Sequence, residues 1–154
     1  MTPASHLRVR RAARSVVLSE AGRILLFRFQ LTDRPPFWVT PGGECEPDES
    51  FSEGARRELF EETGLSPQNM GDEIARTTPQ FVTVEGEPVQ ADERYFLVRT
   101  GDETISTAHH TELEKRVMTS HRWFDLRELK DWPEDIFPTN LNEIVASAAD
   151  RSLP

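Results

Sequence analysis

The stretch Gly43-Glu44-Cys45-Glu46-Pro47-Asp48-Glu49-Ser50-Phe51-Ser52-Glu53-Gly54-Ala55-Arg56-Arg57-Glu58-Leu59-Phe60-Glu61-Glu62-Thr63-Gly64-Leu65 organises the chain around it. Between Glu44 and Glu62 it holds eight acids (Glu44, Glu46, Asp48, Glu49, Glu53, Glu58, Glu61 and Glu62) against only Arg56 and Arg57. Residues 49–62 contain neither proline nor a β-branched residue. Asp48 or Ser50 can cap the segment and Gly64 stands where a left-handed C-cap belongs, so a helix is predicted over Glu49–Glu62. On that helix Glu58, Glu61 and Glu62 fall at i, i+3 and i+4 and share one face. Two carboxylates about 6 Å apart repel by roughly 3 kcal/mol at an effective dielectric of about 20. Phe51, Ala55 and Leu59 form the neighbouring apolar stripe, so the acidic face borders the buried side and loses part of its solvation. A merely solvated helix face interleaves acids and bases at i, i+4, whereas Glu58 and Glu62 are like-charged at that separation. A hard divalent cation turns this repulsion into coordination, and Mg²⁺ takes a few carboxylate oxygens together with waters and substrate phosphates. Arg57, beside the acidic face, is expected to pair with Glu53 or Glu61 and steer carboxylates toward such a metal.

Working outward, Ala12–Leu18 and Arg23–Phe29 read as strands joined through Glu20-Ala21-Gly22 as a hairpin. Phe37–Thr40 reads as a short strand before the turn Pro41-Gly42-Gly43. After the helix, Gln80–Val84 and Glu93–Val98 are predicted strands around the Glu85–Pro88 turn, and Val117–Phe124 another. Leu141, Ile144, Val145 and Ala148 repeat at helical spacing behind Asn140 and Glu143, which are placed as a capping pair. The order strands, helix, strands, helix implies an α+β fold, an α/β/α sandwich with a mixed sheet flanked by helices. At 154 residues, with no internal repeat or linker, one domain over residues 1–154 is expected.

The chain has 18 Lys plus Arg, 27 Asp plus Glu and a net charge of −9, which argues against broad nucleic-acid or anionic-membrane binding. Six of those nine excess charges lie between Glu44 and Glu62. No apolar run reaches membrane-spanning length, and the arginines of the first 14 residues are not followed by a signal-peptide core. A single cysteine, Cys45, permits no internal disulfide, and a reducing, cytoplasmic setting is expected.

The quoted stretch resembles the Nudix hydrolase signature: a Gly, five residues, Glu, seven residues, then Arg-Glu-aliphatic-x-Glu-Glu-x-Gly-aliphatic. All nine fixed positions match over 23 residues (43–65). The likeness extends to Trp38-Val39-Thr40-Pro41-Gly42 before the box and to Arg122-Trp123-Phe124 with Glu128-Leu129 after it. It implies a mixed sheet between helices, with the box holding Mg²⁺, or Mn²⁺ in its place, against a diphosphate. By that resemblance Glu58, Glu61 and Glu62 are metal ligands and one of Glu61 or Glu62 activates water. Glu49 and Arg57 then brace loop and helix, and Gly43 and Gly64 are backbone necessities. The family often adds an acid from a later loop, for which Glu114 is favoured over Glu112 and Glu93. The implied activity is hydrolysis of a phosphoanhydride bond in a nucleoside diphosphate linked to another moiety: ADP-ribose or a nucleotide sugar, a dinucleoside polyphosphate, an oxidised nucleoside triphosphate or a capped RNA. The implied partner is a small nucleotide, with nucleic acid confined to an RNA 5′ end and a homodimer left open. No Gly-x-Ser-x-Gly elbow, P-loop or Cys–His pairing points to a covalent route. The alternative is a noncatalytic nucleotide-sensing module of the same fold, which loss of box glutamates would signal, and none is lost.

Other residues read more plainly. Trp38 and Phe37 precede the box, where an aromatic face could stack on a base, although aromatics in a short strand are more often core. His109 and His110 are expected to be solvated. Glu44 and Glu46 should raise the pKa of Cys45 and leave it a bystander. Arg8, Arg10, Arg11 and Arg14 could reach a phosphate or an RNA end, but arginines alternating along a first strand are expected to cover a wet face. Phe60 falls opposite the apolar stripe and needs a covering element or subunit.

Overall fold

The computed structural model describes residues 7–67 and 70–151, so both ends of the expected 1–154 span lie outside the described residues. Its frame is β1 (Arg8–Ser19), which turns through Gly22, at φ 80°, into β2 (Arg23–Phe29). The two strands pair only at Leu18↔Ile24 and then part. That divergence opens two edges. On β1, β4 (Gly42–Glu44) pairs with Ala12–Arg14, while on β2, β3 (Phe37–Val39) pairs with Phe27–Phe29. The remaining strands are β5 (Glu73–Thr77), β6 (Gln80–Val82), β7 (Pro88–Thr100), β8 (Met118–Asp125) and β9 (Asp135–Phe137). The main path runs β5-β7-β1-β2-β3-β9, with β4, β6 and β8 attached to β1, β7 and β2. The β1–β7 and β3–β9 pairs are parallel and the rest antiparallel, so the sheet is mixed.

Alternation along β1 sorts two cores onto the two sheet faces. Ala13 and Val17 look toward α1 (Phe51–Thr63), where Val17 meets Leu59 and Phe27, and Ala13 meets Ala55, Cys45 and Phe96. Val16 and Leu18 face the other way, onto Trp38, Tyr95, Phe124 and the Leu141, Ile144, Val145 and Ala148 stripe of α4 (Leu141–Arg151). Helices therefore cover both faces, as expected for the α+β sandwich. Two short helices, α2 (Glu112–Val117) and α3 (Leu126–Asp131), flank β8.

The expected strands at 80–84 and 93–98 become a short β6 and a 13-residue β7. Parallel pairing with all twelve residues of β1 extends β7, a non-local effect that its own polar residues do not announce. The strands β4, β5 and β9 and the helices α2 and α3 are additions to the sequence reading. The hairpin, the box helix and the terminal helix stand where they were expected. No helix among the described residues is long and apolar enough to cross a membrane.

Candidate active site

Helix α1 is fixed at both ends. Ser50, not Asp48, is its N-cap: Glu53 N–H donates to Ser50 Oγ (3.1 Å) and Ser50 N–H donates back to Glu53 Oε1 (2.8 Å). Gly64 adopts φ 76° and its N–H reaches the Phe60 carbonyl at 2.8 Å. With the register set, Glu58 and Glu62 project from successive turns toward the seam between β1 and β4. Glu114 of α2 joins them, held by its own capping box with Thr111. One carboxylate oxygen from each of Glu58, Glu62 and Glu114 lies within 4.8 Å of the others.

This cluster is costly. Glu62 is 3% exposed, and burial, followed by repulsion from Glu58 and Glu114, raises its pKa well above the ordinary carboxylate range. Its Oε1 accepts the Gly42 N–H at 2.8 Å, one favourable contact against that penalty. Burial likewise pushes Glu58 up to about 7, with Arg57 opposing. Two glycines make room here, Gly43 for the Glu58 carboxylate and Gly42 for the backbone of β1. A Cβ on Gly43 would lie 2.8 Å from the Glu58 carboxyl carbon, and one on Gly42, at φ 149°, would lie 2.3 Å from the Ala13 carbonyl oxygen.

Arg57 ties the loop to the helix. It donates twice to Glu49 (2.7 and 2.9 Å), to Glu61 (2.8 Å), to Glu58 (3.1 Å) and to the Glu44 carbonyl (3.1 Å). Of its two expected partners, Glu61 is engaged and Glu53 is not, because the Glu53 carboxylate serves the cap. Glu49 in turn accepts the Glu46 N–H at 2.8 Å. Glu61 sits beside the three-carboxylate cluster rather than in it, paired with Arg57 and 34% exposed.

A cavity of about 870 Å³ opens over this seam. Glu58, Glu61, Glu62 and Glu114 line one part, Arg8, Arg10 and Arg14 of β1 another, and Phe29, Phe37, Phe81 and Phe137 supply aromatic wall. Phe37 and Phe29 stack at 5.4 Å between centroids. Trp38 is not part of it. It is 5% exposed, lies edge-on to Phe124 and Trp132, and donates its indole N–H to Glu134 at 2.8 Å. Strand alternation decides this: the residue before it on β3 faces the cavity, so Trp38 faces the core.

Three further expectations change. Arg10 and Arg14 line the cavity instead of a wet face, and Arg14 is bonded at 2.9 Å to Glu93, itself 6% exposed. Arg11, of opposite parity, lies over the Phe51 ring at 4.5 Å. His110 is half-buried with Nε2 2.8 Å from the Glu62 carbonyl, whereas His109 is exposed as expected and stacks on Phe60 at 5.0 Å, a partial cover that leaves Phe60 43% exposed. The Cys45 thiol is raised chiefly by burial rather than by its acidic neighbours. Of the β1 arginines and the Phe29–Phe37 wall, Phe29 went unrecognised, while the arginines and Phe37 were weighed for such a role but expected on a wet face and in the core. Their one signal was the even spacing of Arg8, Arg10 and Arg14, which places them on one face.

Comparison with known proteins agrees with this geometry. A family model described as the NUDIX domain matches residues 8–143. The chain is 45% identical over 51 residues (33% of it, 32% of the relative) to a protein named "Putative 8-oxo-dGTP diphosphatase" from Bacillus subtilis (strain 168). It is 24% identical over 124 residues (72% of it, 71% of the relative) to an "RNA pyrophosphohydrolase" from Shewanella sp. (strain W3-18-1). The matched part spans from 10% to 71% of the lengths of the curated relatives. Among solved structures, the MutT protein of Methanosarcina mazei Go1 superposes with a TM-score of 0.69 at 19% identity, over 96% of this chain and 99% of that one, a likeness of fold. The box, the sheet split around it and the family match over 8–143 have one reading: the chain belongs to the Nudix family.

Proposed function

We propose that this protein is a Mg²⁺-dependent hydrolase that cuts a phosphoanhydride bond in a nucleoside diphosphate linked to another moiety. The observation that carries the proposal is the meeting of Glu58, Glu62 and Glu114 within 4.8 Å at the edge of a large cavity. The donor set fits a hard divalent cation: three carboxylates, one of them buried, with no Lys or Arg bonded to Glu62 or Glu114 among the described contacts. Glu58, Glu62 and Glu114 would hold the ion, with Mn²⁺ able to replace Mg²⁺. A bound divalent cation supplies charge neutralisation at the leaving oxygen and lowers the pKa of a coordinated water.

The chain's own groups do the rest. Arg57 fixes Glu58 and Glu61 relative to the loop through Glu49. Glu61, in the cavity wall and more exposed than Glu58 or Glu62, accepts the proton of the attacking water. Gly42 N–H keeps the Glu62 carboxylate aimed at the seam. The aromatic wall offers apolar faces to the remainder of a nucleotide. The names of the relatives, a diphosphatase and an RNA pyrophosphohydrolase, support the reaction class, and a net charge of −9 disfavours broad RNA binding. The buried lone cysteine accords with a cytoplasmic setting.

The test is product identification by chromatography and mass spectrometry, with Mg²⁺ and with EDTA, across nucleotide sugars including ADP-ribose, dinucleoside polyphosphates, oxidised nucleoside triphosphates and capped RNA. Metal-dependent release of two phosphorylated products is the expected result. Binding of a nucleotide without turnover of any panel member would replace the hydrolase with a nucleotide-sensing module.

A further inference from the structure

The three carboxylates of the cluster come from two helices that are far apart in the chain. Glu58 and Glu62 share α1, whereas Glu114 sits on α2, 52 positions beyond Glu62. Both ends of α1 are capped, and Ala55 and Leu59 bury its inner face. α2 has no such footing. Its six residues are too few to be helical on their own, and none of them is buried, so apolar packing alone does not decide where Glu114 stands. The C-terminal end of α2 is tied to β2, where Gln30 N–H donates to the Val117 carbonyl at 2.8 Å. The N-terminal end, which carries Thr111 and Glu114, is tied to α1 instead.

Residues 106–110 make that tie by meeting carbonyls at the end of α1 that have no partner within the helix. Ser106 N–H donates to the Thr63 carbonyl at 2.7 Å, and His110 Nε2 lies 2.8 Å from the Glu62 carbonyl. A carbonyl oxygen only accepts, so Nε2 carries the proton and His110 is the donor. Its half-buried imidazole stands edge-on to the buried Phe27 ring, 5.8 Å between centroids, which fixes the direction of the N–H. The His110 backbone N–H closes a turn onto the Thr107 carbonyl at 3.2 Å. The next residue is Thr111, whose hydroxyl accepts the Glu114 N–H and whose own N–H donates to the Glu114 carboxylate. A single side-chain bond therefore joins the backbone of one cluster residue, Glu62, to the cap that aims another, Glu114.

We infer that His110 is a positioning residue: the hydrogen bond it donates to the Glu62 carbonyl sets α2 against α1 and so brings Glu114 to Glu58 and Glu62. This rests on the metal-binding reading of the cluster, and its test separates the two. Two variants divide the imidazole into its parts. His110→Gln keeps an N–H donor, while His110→Phe keeps a ring against Phe27 and loses the donor. Mn²⁺ affinity is measured for each by electron paramagnetic resonance, alone and in the Glu114→Gln background. His110→Phe should weaken Mn²⁺ binding about tenfold, the low end for loss of a group that braces a metal ligand, and His110→Gln should stay within about threefold of wild type. In the Glu114→Gln background His110→Phe should change the affinity by less than about twofold, because the carboxylate it places is already gone. Equal Mn²⁺ affinity in wild type and His110→Phe would overturn the inference. So would equal losses in the two variants, which would make the ring's packing the cause, or an undiminished loss in the Glu114→Gln background, which would make His110 act on something other than Glu114. A second measurement needs no metal: amide hydrogen exchange over residues 111–117 should be about tenfold faster in His110→Phe and at the wild-type rate in His110→Gln. If wild type binds no Mn²⁺, the metal reading fails, while exchange in α2 still decides whether His110 holds that helix. If His110→Phe does not fold, His110→Leu, smaller and also without the donor, takes its place in both measurements.

Discussion

Glu62 and Glu93 are buried to nearly the same degree, 3% and 6% exposed, in the wall of one cavity, yet their carboxyl groups are driven in opposite directions. For Glu93, burial raises the pKa, but Arg14 at 2.9 Å, then Arg10 and the Tyr95 hydroxyl, outweigh it and hold the group below its ordinary value. For Glu62, burial acts together with Glu58 and Glu114, and against them stand the Gly42 N–H and, through charge alone, Arg14, which is bonded to Glu93. Burial alone therefore does not mark a site. What distinguishes Glu62 is that no cation among the described residues is bonded to it. Glu93 is a completed ion pair between β7 and β1, while the Glu58, Glu62 and Glu114 group is the one proposed to take an ion from solution.

Exchanging the charge at each position should break the symmetry of burial. Glu62→Gln, which keeps shape and the acceptor for Gly42, should lower turnover by about 10³-fold in a steady-state assay with Mg²⁺. The same variant, melted without metal, should gain about 1 kcal/mol, or about 2–4 °C, because it relieves the like-charge cluster. Glu93→Ala should do the reverse and destabilise the fold by about 3–5 kcal/mol in a denaturant titration, since it strands Arg14 as an uncompensated buried charge. The pH dependence of that pair follows from sign. A carboxylate with a lowered folded pKa adds stability above its unfolded value, about 4.3, and loses it as pH falls through the folded value. The difference in melting temperature between wild type and Glu93→Gln should accordingly be full at pH 7 and shrink on acidification below about pH 4.

The cluster half of this comparison was more legible in the sequence than the ion-pair half. Glu58 and Glu62 are four residues apart on one helix, so their meeting is a local fact of helical geometry, and Ser50 and Gly64 announce the helix ends. Glu114 is 52 positions beyond Glu62 and was reachable only through the family's habit of adding a late acid; the cap at Thr111 that aims it was not read. The pairing of Arg14 with Glu93 depends on parallel register between β1 and β7, which no local pattern encodes. The same register decided which face the β1 arginines occupy, and the alternation along β3 separated Trp38 from Phe37. Contacts within one helix and across the local hairpin could be read ahead, and pairings between strands distant in sequence could not.

Smaller perturbations sharpen the comparison. Gly43→Ala places a methyl group against the Glu58 carboxyl and should cost about 10²-fold in turnover by displacing it, with little change in circular dichroism. Ser50→Ala removes the α1 cap and should cost about 1 kcal/mol in stability while KM stays near the wild-type value.

The most direct test of the central claim is Mn²⁺ binding followed by electron paramagnetic resonance, on wild type, Glu62→Gln and the Glu58→Gln, Glu62→Gln, Glu114→Gln triple variant. Wild type should bind Mn²⁺ in competition with Mg²⁺, Glu62→Gln should bind it at least about tenfold more weakly, and the triple variant should release it entirely. Undiminished Mn²⁺ affinity in the triple variant would contradict the account and place the metal elsewhere on the chain.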